Sequence, residues 1–333
     1  MSELRRDPIV GRWVIVNVED PKAPKDFHIE PHHYDDATNC PFCYGNEHMT
    51  PPEIQAFRHE KTHVNKQGWQ VRVVPNKFPA LQIEGELDRH GLGIFDMSNG
   101  IGAHEVIIET PYHTKDISDL EQNEIEKILE MYSLRSKDLE KDKRFKYILL
   151  FKNFGSSAGA TIDHNHTQLI ALPMIPKNVL EELNGSNEYF EYRDRCIFCD
   201  IIHQELEEKE RVLEQSKNFI AFCPYVSRSP FEIWIMPRAH KLSYCDISKE
   251  ELSDLAKMLK DVLRRMKTAL NDPPYNFIIH TSPINGEDRP GYHWHIEIMP
   301  RLSRLAGFEW GTGFYVVSTP PEVAIKYLKE IKL

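Results

Sequence analysis

The chain has no apolar run approaching the roughly 20 residues that a membrane-crossing helix needs, so no membrane span is expected. It also lacks a surplus of basic charge. Fifty-one acidic against 41 basic residues leave a formal charge of −10. That balance argues against a dedicated nucleic-acid binder, which carries a basic surface. Small anionic ligands are not excluded, because a few local dipoles and cations hold them. The opening segment Met1-Ser2-Glu3-Leu4-Arg5-Arg6 lacks the apolar core of a signal peptide, so a cytoplasmic location is expected. Cysteine is scarce, at six, and four of the six form two identical spacings, Cys40-Pro-Phe-Cys43 and Cys196-Ile-Phe-Cys199. In a cytosolic chain such pairs are more often metal ligands or redox motifs than disulfides. The rest is ordinary. The 333 residues are 41% hydrophobic and 28% charged, which suits a globular protein with two domains or one large duplicated one.

An internal duplication organises the chain. Each Cys-x-x-Cys is followed by a strand-like segment that ends in Pro and then His: Val106–His113 in the first copy, Glu232–His240 in the second. Asp116-Ile117-Ser118 and Asp246-Ile247-Ser248 come next, and each Ser opens a capping box with Glu121 or Glu251. An amphipathic helix follows in each copy. Leu120, Ile125, Ile128, Leu129 and Tyr132 form one apolar stripe, and Leu252, Leu255, Leu259, Val262 and Leu263 the other. Then come the strands Tyr147–Phe151 and Tyr275–Ile279, and last the His-x-His strands His164-Asn165-His166 and His293-Trp294-His295. Pro173, Pro176 and the polar run Asn184-Gly185-Ser186-Asn187 interrupt the pattern near residues 174–190. The expected fold is α+β with duplicated halves, 1–180 and 181–333, each an antiparallel sheet with one long helix packed on it.

The repeat supplies two four-ligand sets: Cys40, Cys43, His113 and His164, then Cys196, Cys199, His240 and His293. Two thiolates and two imidazoles suit tetrahedral zinc, and four protein ligands close its coordination sphere, so two structural zinc ions per chain are expected. His293 and His295 could instead bind iron together with carboxylates.

The stretch Asn153 to Gln168 carries the chemistry. Its small residues and glycines let backbone N–H groups approach a phosphate, with Ser157 and Thr161 as further donors. Strand alternation places His164, His166 and Gln168 on one face. Neutral imidazole is a good nucleophile, and attack by His166 on an α-phosphorus would split one displacement into two. Gln168 can donate to a non-bridging oxygen. The second copy has Glu297 where the first has Gln168 and no Gly-Ser loop before it, so it reads as structural or as part of an acceptor site.

These residues closely resemble the galactose-1-phosphate uridylyltransferase family, a branch of the histidine-triad superfamily. The resemblance spans nearly the whole chain: Arg6-Asp7-Pro8, Trp13, the Cys-Pro-Phe-Cys knuckle, Pro75 to Leu81, Asn153 to Gln168, and Gly307-Phe308-Glu309. It implies histidine-triad-like halves, a covalent nucleophile at His166 and a phosphoryl contact from Gln168. It also implies zinc at Cys40, Cys43, His113 and His164, and nucleotide contacts from Phe42, Asn76, Phe78, Asn153, Gly159, Thr161 and Gln168. The implied reaction is transfer of UMP from UDP-glucose to a hexose 1-phosphate, in a homodimer whose active sites borrow residues from the partner. The chain departs from the best-known members at Ala160-Thr161, where they carry Cys-Ser, and at Lys77, where they carry an acidic residue. The intact second Cys-Cys-His-His set and the segment Gly307–Gly313 look more like the ADP-glucose phosphorylase branch, which acts on adenine nucleotides. A zinc-stabilised binding module without turnover is the remaining, non-enzymatic reading.

Overall fold

The computed structural model describes residues 1–29, 34–286 and 289–333. Two short strands open the chain, β1 (Ser2–Arg6) and β2 (Trp13–Asn17). The first half follows with β3 (Gln55–Arg58), β4 (Trp69–Pro75), a hairpin of β5 (His90–Leu92) and β6 (Phe95–Met97), β7 (Ala103–Ile108), helix α1 (Gln122–Leu139), β8 (Tyr147–Phe154) and β9 (His166–Leu172). Helices α2 (Lys177–Arg193) and α3 (Ile197–Glu208) lead to the second half: β10 (Val212–Gln215), β11 (Phe219–Phe222), β12 (Ile233–Pro237), α4 (Lys249–Ala269), β13 (Tyr275–His280) and β14 (His295–Pro300). The last elements are α5 (Gly307–Thr312), β15 (Tyr315–Val317) and α6 (Pro321–Glu330). Among the described residues no helix is long and apolar enough to cross a membrane.

The fold is α+β and antiparallel in its central sheet. Ten strands run in the order β10-β11-β12-β14-β13-β8-β9-β7-β4-β3. Read outward from the middle, both sides repeat one order, so the duplicated sequence becomes a near two-fold arrangement. The halves do not hold separate sheets. They meet at a seam where β8 pairs with β13, from Tyr275↔Phe154 to Ile279↔Leu150. The pairing satisfies two strand edges that would otherwise expose open backbone groups.

Helices α1 and α4 lie together on one face of this sheet. Their predicted stripes are buried there, with Ile125, Ile128, Leu129 and Tyr132 from α1 and Leu255, Leu259, Val262 and Leu263 from α4 in one core with Ile107, Leu150, Phe277 and Ile296. Ser248 caps α4 as expected, accepting from Glu251 N–H. Ser118 does not cap α1. Asp116 instead takes the Ser118 N–H at 2.7 Å and closes a short turn of its own, and α1 starts later, where Glu124 accepts from Glu121 N–H at 2.8 Å. The opposite face is covered unequally. Over the second half, Val179, Leu183 and Phe198 from α2 and α3 pack on Ile220, Phe222 and Met236. Over the first half the Cys40–Cys43 knuckle lies on the sheet, with Phe42 and Trp69 against Val74, Val106 and Ile108.

One polar cluster interrupts the apolar layer under α1. Lys152 of β8 and Glu109, just past β7, are each 1% exposed and form an ion pair at 2.6 Å. Lys152 Nζ also donates to Asn165 Oδ1 and, at 3.1 Å, to the His166 carbonyl. Glu109 Oε1 accepts from Thr167 Oγ1 at 2.6 Å and from the Tyr132 hydroxyl of α1. The corresponding register positions in the second half, for Lys152 and Thr167, are Ile279 and Ile296. Removing one partner of a buried pair strands the other charge, at a cost of about 3–5 kcal/mol. Lys152→Met should therefore lower stability in urea unfolding by that order, and pairing it with Glu109→Gln should restore part of the loss.

Candidate active site and metal-ligand clusters

The nucleophile candidate opens β9. Its Nδ1 lies 2.8 Å from the His164 carbonyl, which can only accept, so the proton sits on Nδ1 and the lone pair on Nε2. His166 is 8% exposed, and its ring meets Phe42 edge-on with centroids 5.2 Å apart. Burial, with the Lys152 ammonium beneath the strand, lowers its pKa to about 4, which keeps the imidazole neutral. His164 is not on the strand, contrary to the alternation expected. It lies in the turn before β9, fully buried, and faces the knuckle.

The Gly-Ser segment forms a tight turn between β8 and β9. Gly155 and Gly159 have φ of 78° and 92°, the latter left-handed, a conformation that favours glycine. Ser156, Ser157, Gly159 and Thr161 are exposed at its surface. Asn153 is paired across the seam with Asn276. Asn276 Nδ2 donates to Asn153 Oδ1 at 2.8 Å and to the Ala158 carbonyl at 2.9 Å, and Asn276 Oδ1 accepts from Arg301. The second half thus holds the loop of the first. Gln168 is one residue pair along from His166 on the same face, and its Oε1 is 2.8 Å from His104 Nε2. Asn76 reaches the same histidine, with Nδ2 at 3.0 Å, while its Oδ1 accepts from Phe78 N–H at 2.9 Å. The Phe78 ring projects into solvent, 83% exposed.

Both four-ligand sets are assembled. Cys43 Sγ lies 3.3 Å from His113 Nδ1 and 3.4 Å from His164 Nδ1, and Cys40 Sγ lies 3.6 Å from His164 Nδ1. Cys199 Sγ lies 3.4 Å from His240 Nδ1 and 3.5 Å from His293 Nδ1, and Cys196 completes that set. Tetrahedral bonds of about 2.3 Å to sulfur and roughly 2.0–2.1 Å to nitrogen would put sulfur and nitrogen about 3.6 Å apart. The outer nitrogens fit as well. His164, His113 and His293 turn Nε2 toward the carbonyls of Thr110, Asp35 and Pro237 at 2.7, 2.8 and 2.9 Å, which leaves Nδ1 to face the thiols. These groups could hold a metal ion.

The second His-x-His is divided between two clusters. His293 joins the cysteines, whereas His295 joins Glu182, His280 and Glu297. His280 is wedged between carboxylates, Nδ1 at 3.0 Å from Glu182 and Nε2 at 3.1 Å from Glu297. Burial would lower its pKa, but the two carboxylates outweigh burial and raise it to about 10. His295 is 1% exposed and stacks between His280 and Trp234, at 4.8 and 5.0 Å, with Phe198 at 5.3 Å. The N-terminal segment closes over α2 beside it. They run so close that a Cβ on Gly185 would lie 1.7 Å from the Ile9 carbonyl oxygen. The counterpart of His166 is therefore walled in.

Sequence reasoning missed Lys152, Glu109 and His104. A lysine and a glutamate inside apolar strand runs were the available signal for the first two. His104 sits diagonal to Gln168, and its role depends on strand register that no local pattern reveals.

Residues 1–176 match the family described as galactose-1-phosphate uridyl transferase, N-terminal domain, and residues 182–309 match its C-terminal domain. The chain is 36% identical to an ADP-glucose phosphorylase of Arabidopsis thaliana, over 99% of this chain and 93% of that one. It is 29% identical to a galactose-1-phosphate uridylyltransferase of Thermotoga maritima, over 100% and 99%. A crystal structure of an ADP-glucose phosphorylase from Arabidopsis thaliana with bound ADP-glucose superposes with a TM-score of 0.84 at 36% identity, covering 100% of this chain and 99% of that one. A uridylyltransferase structure gives 0.77 at 27% identity, covering 99% and 98%.

Proposed function

The chain belongs to the galactose-1-phosphate uridyl transferase family, and on that premise we propose that it transfers a nucleoside monophosphate from a nucleotide sugar through a covalent bond to His166. The observation that carries this reading is the aim of His166, whose Nδ1–H is held by the His164 carbonyl so that Nε2 carries the lone pair. Nε2 attacks the α-phosphorus, the bond to the sugar phosphate breaks, and a sugar 1-phosphate departs. The imidazole gains positive charge in the intermediate, and its Nδ1–H donation to the carbonyl strengthens as it does. An acceptor oxygen then attacks phosphorus and releases neutral His166. In the first reading the donor is UDP-glucose and the acceptor galactose 1-phosphate, which serves galactose metabolism. Phe42, Asn76, Phe78, Asn153, Gly159 and Thr161 contact the nucleotide, and Gln168 the transferred phosphoryl group.

A second reading is favoured by the 36% identity to the Arabidopsis ADP-glucose phosphorylase and by the presence of both Cys-Cys-His-His sets. There the donor is ADP-glucose and the acceptor inorganic phosphate. In either case residues 1–180 form the catalytic half and 181–333 the supporting half. The protein works as a homodimer in the cytoplasm. Exposed apolar side chains at Ile94, Phe308 and Trp310 offer surface for a partner, and six free cysteines suit a reducing compartment.

Each four-ligand set binds zinc in this reading. The ion would tie the Cys40–Cys43 knuckle to His164, and so fix the backbone whose carbonyl orients His166. Metal analysis of the purified protein should give about two zinc per chain. Cys40→Ser should remove one of them and lower the melting temperature, and one or none in the parent protein would defeat the paired sites.

Incubation with radiolabelled donors should leave nucleotide bound to the parent protein, and His166→Ala should lose the label and turnover while its circular dichroism is unchanged. Label from ADP-glucose alone would sink the uridylyl reading. Label from neither donor would sink the covalent one.

A further inference from the structure

Gln168 helps a phosphoryl group only if its amide points the right way. An amide has a donor end and an acceptor end, and the acceptor end would repel a phosphate oxygen. What fixes the orientation can be traced from a group that cannot flip. The backbone N–H of Ala80 donates to His104 Nδ1 at 3.1 Å. That nitrogen must hold a lone pair, so in the neutral ring the proton is on Nε2. The atom 2.8 Å from Nε2 must then be an acceptor, and it is Gln168 Oε1. Asn76 Nδ2, 3.0 Å away, is itself a donor and makes no hydrogen bond to a protonated Nε2, and Asn76 Oδ1 is already bound by Phe78 N–H. With Oε1 engaged, Gln168 turns its NH₂ away from His104. His104 lies on β7, diagonal to Gln168 and on the same sheet face, so the bond is set by register and not by a mobile loop.

We propose that His104 is a positioning residue that locks the Gln168 amide with its donors toward the transferred phosphoryl group. It joins that residue to the segment from Asn76 to Ala80, so the nucleotide-contacting loop and the phosphoryl contact move as one piece. The proposal rests on the reading that Gln168 contacts the phosphoryl group.

Rapid-quench measurement of label transfer to His166 tests it. His104→Phe keeps a ring but no donor, and should slow label formation by about 100-fold, the low end of what losing one oriented donor costs. KM should change little, because the same contacts to the ground-state nucleotide remain. His104→Gln, which places an N–H near the Nε2 position, should recover most of the rate. A wild-type rate in His104→Phe overturns the proposal, as does a His104→Gln variant no faster than His104→Phe. A loss seen only in KM would assign His104 to holding the Ala80 loop and also overturns it. If the parent protein takes no label, the transfer reading fails instead. The amide orientation is then read in the free protein, from the ¹⁵N–¹H signals of Gln168 identified by their absence in Gln168→Glu. A shift of those signals in His104→Phe supports the lock, and unmoved signals overturn it.

Discussion

A single ammonium group under the sheet organises the first half. Lys152 directs its donors at Glu109, at Asn165 Oδ1 and at the carbonyl of His166, so one buried cation on β8 ties together the end of β7 and the start of β9. A charge this deeply buried is tolerable only when its partners are fully in place. The strands β7, β8 and β9 are therefore fixed to one another where His166 leaves the turn and enters the sheet. Tyr132 extends the cluster to α1 and ties the helix layer to the same point. The second half has isoleucines at the matching positions. The layer under α4 is apolar at those positions, and that half's own histidine is sealed among aromatic rings and carboxylates.

The asymmetry is a consequence of duplication within one sheet. Two similar units share a seam, and side chains of one copy reach across it to the turn of the other. Asn276 belongs to the second copy, yet it holds Asn153 and the Ala158 carbonyl of the loop, with its own Oδ1 fixed by Arg301. The unequal cover of the sheet follows the same division. Helices α2 and α3 close one side, and the thin cysteine knuckle lies over the other.

Much of this was legible in the sequence because it repeats. The apolar stripes of α1 and α4 are strong periodic signals, and both form the core they predict. The two Cys-Cys-His-His sets are scattered along the chain, but the repeat aligned them and the structure brings each together. What escaped was long-range. The β8–β13 seam joins edges whose pairing no local pattern encodes. The spacing of Ser118 to Glu121 fits a helix cap, but Asp116 takes the Ser118 N–H and Glu124 takes the Glu121 N–H that Ser118 would have capped. His164 was placed on a strand by alternation, yet its ring turns to the knuckle before the strand begins.

The seam also decides how the molecule fails. Loosening at β8–β13 would reach the turn at residues 155–159 through Asn276, which donates to the Ala158 carbonyl. The shape of that turn thus depends on the cohesion of the two copies, although every residue of the turn belongs to the first. The same route runs backward. Whatever steadies the turn also steadies the boundary between the two copies, because the same Asn276 amide binds both Asn153 and the Ala158 carbonyl.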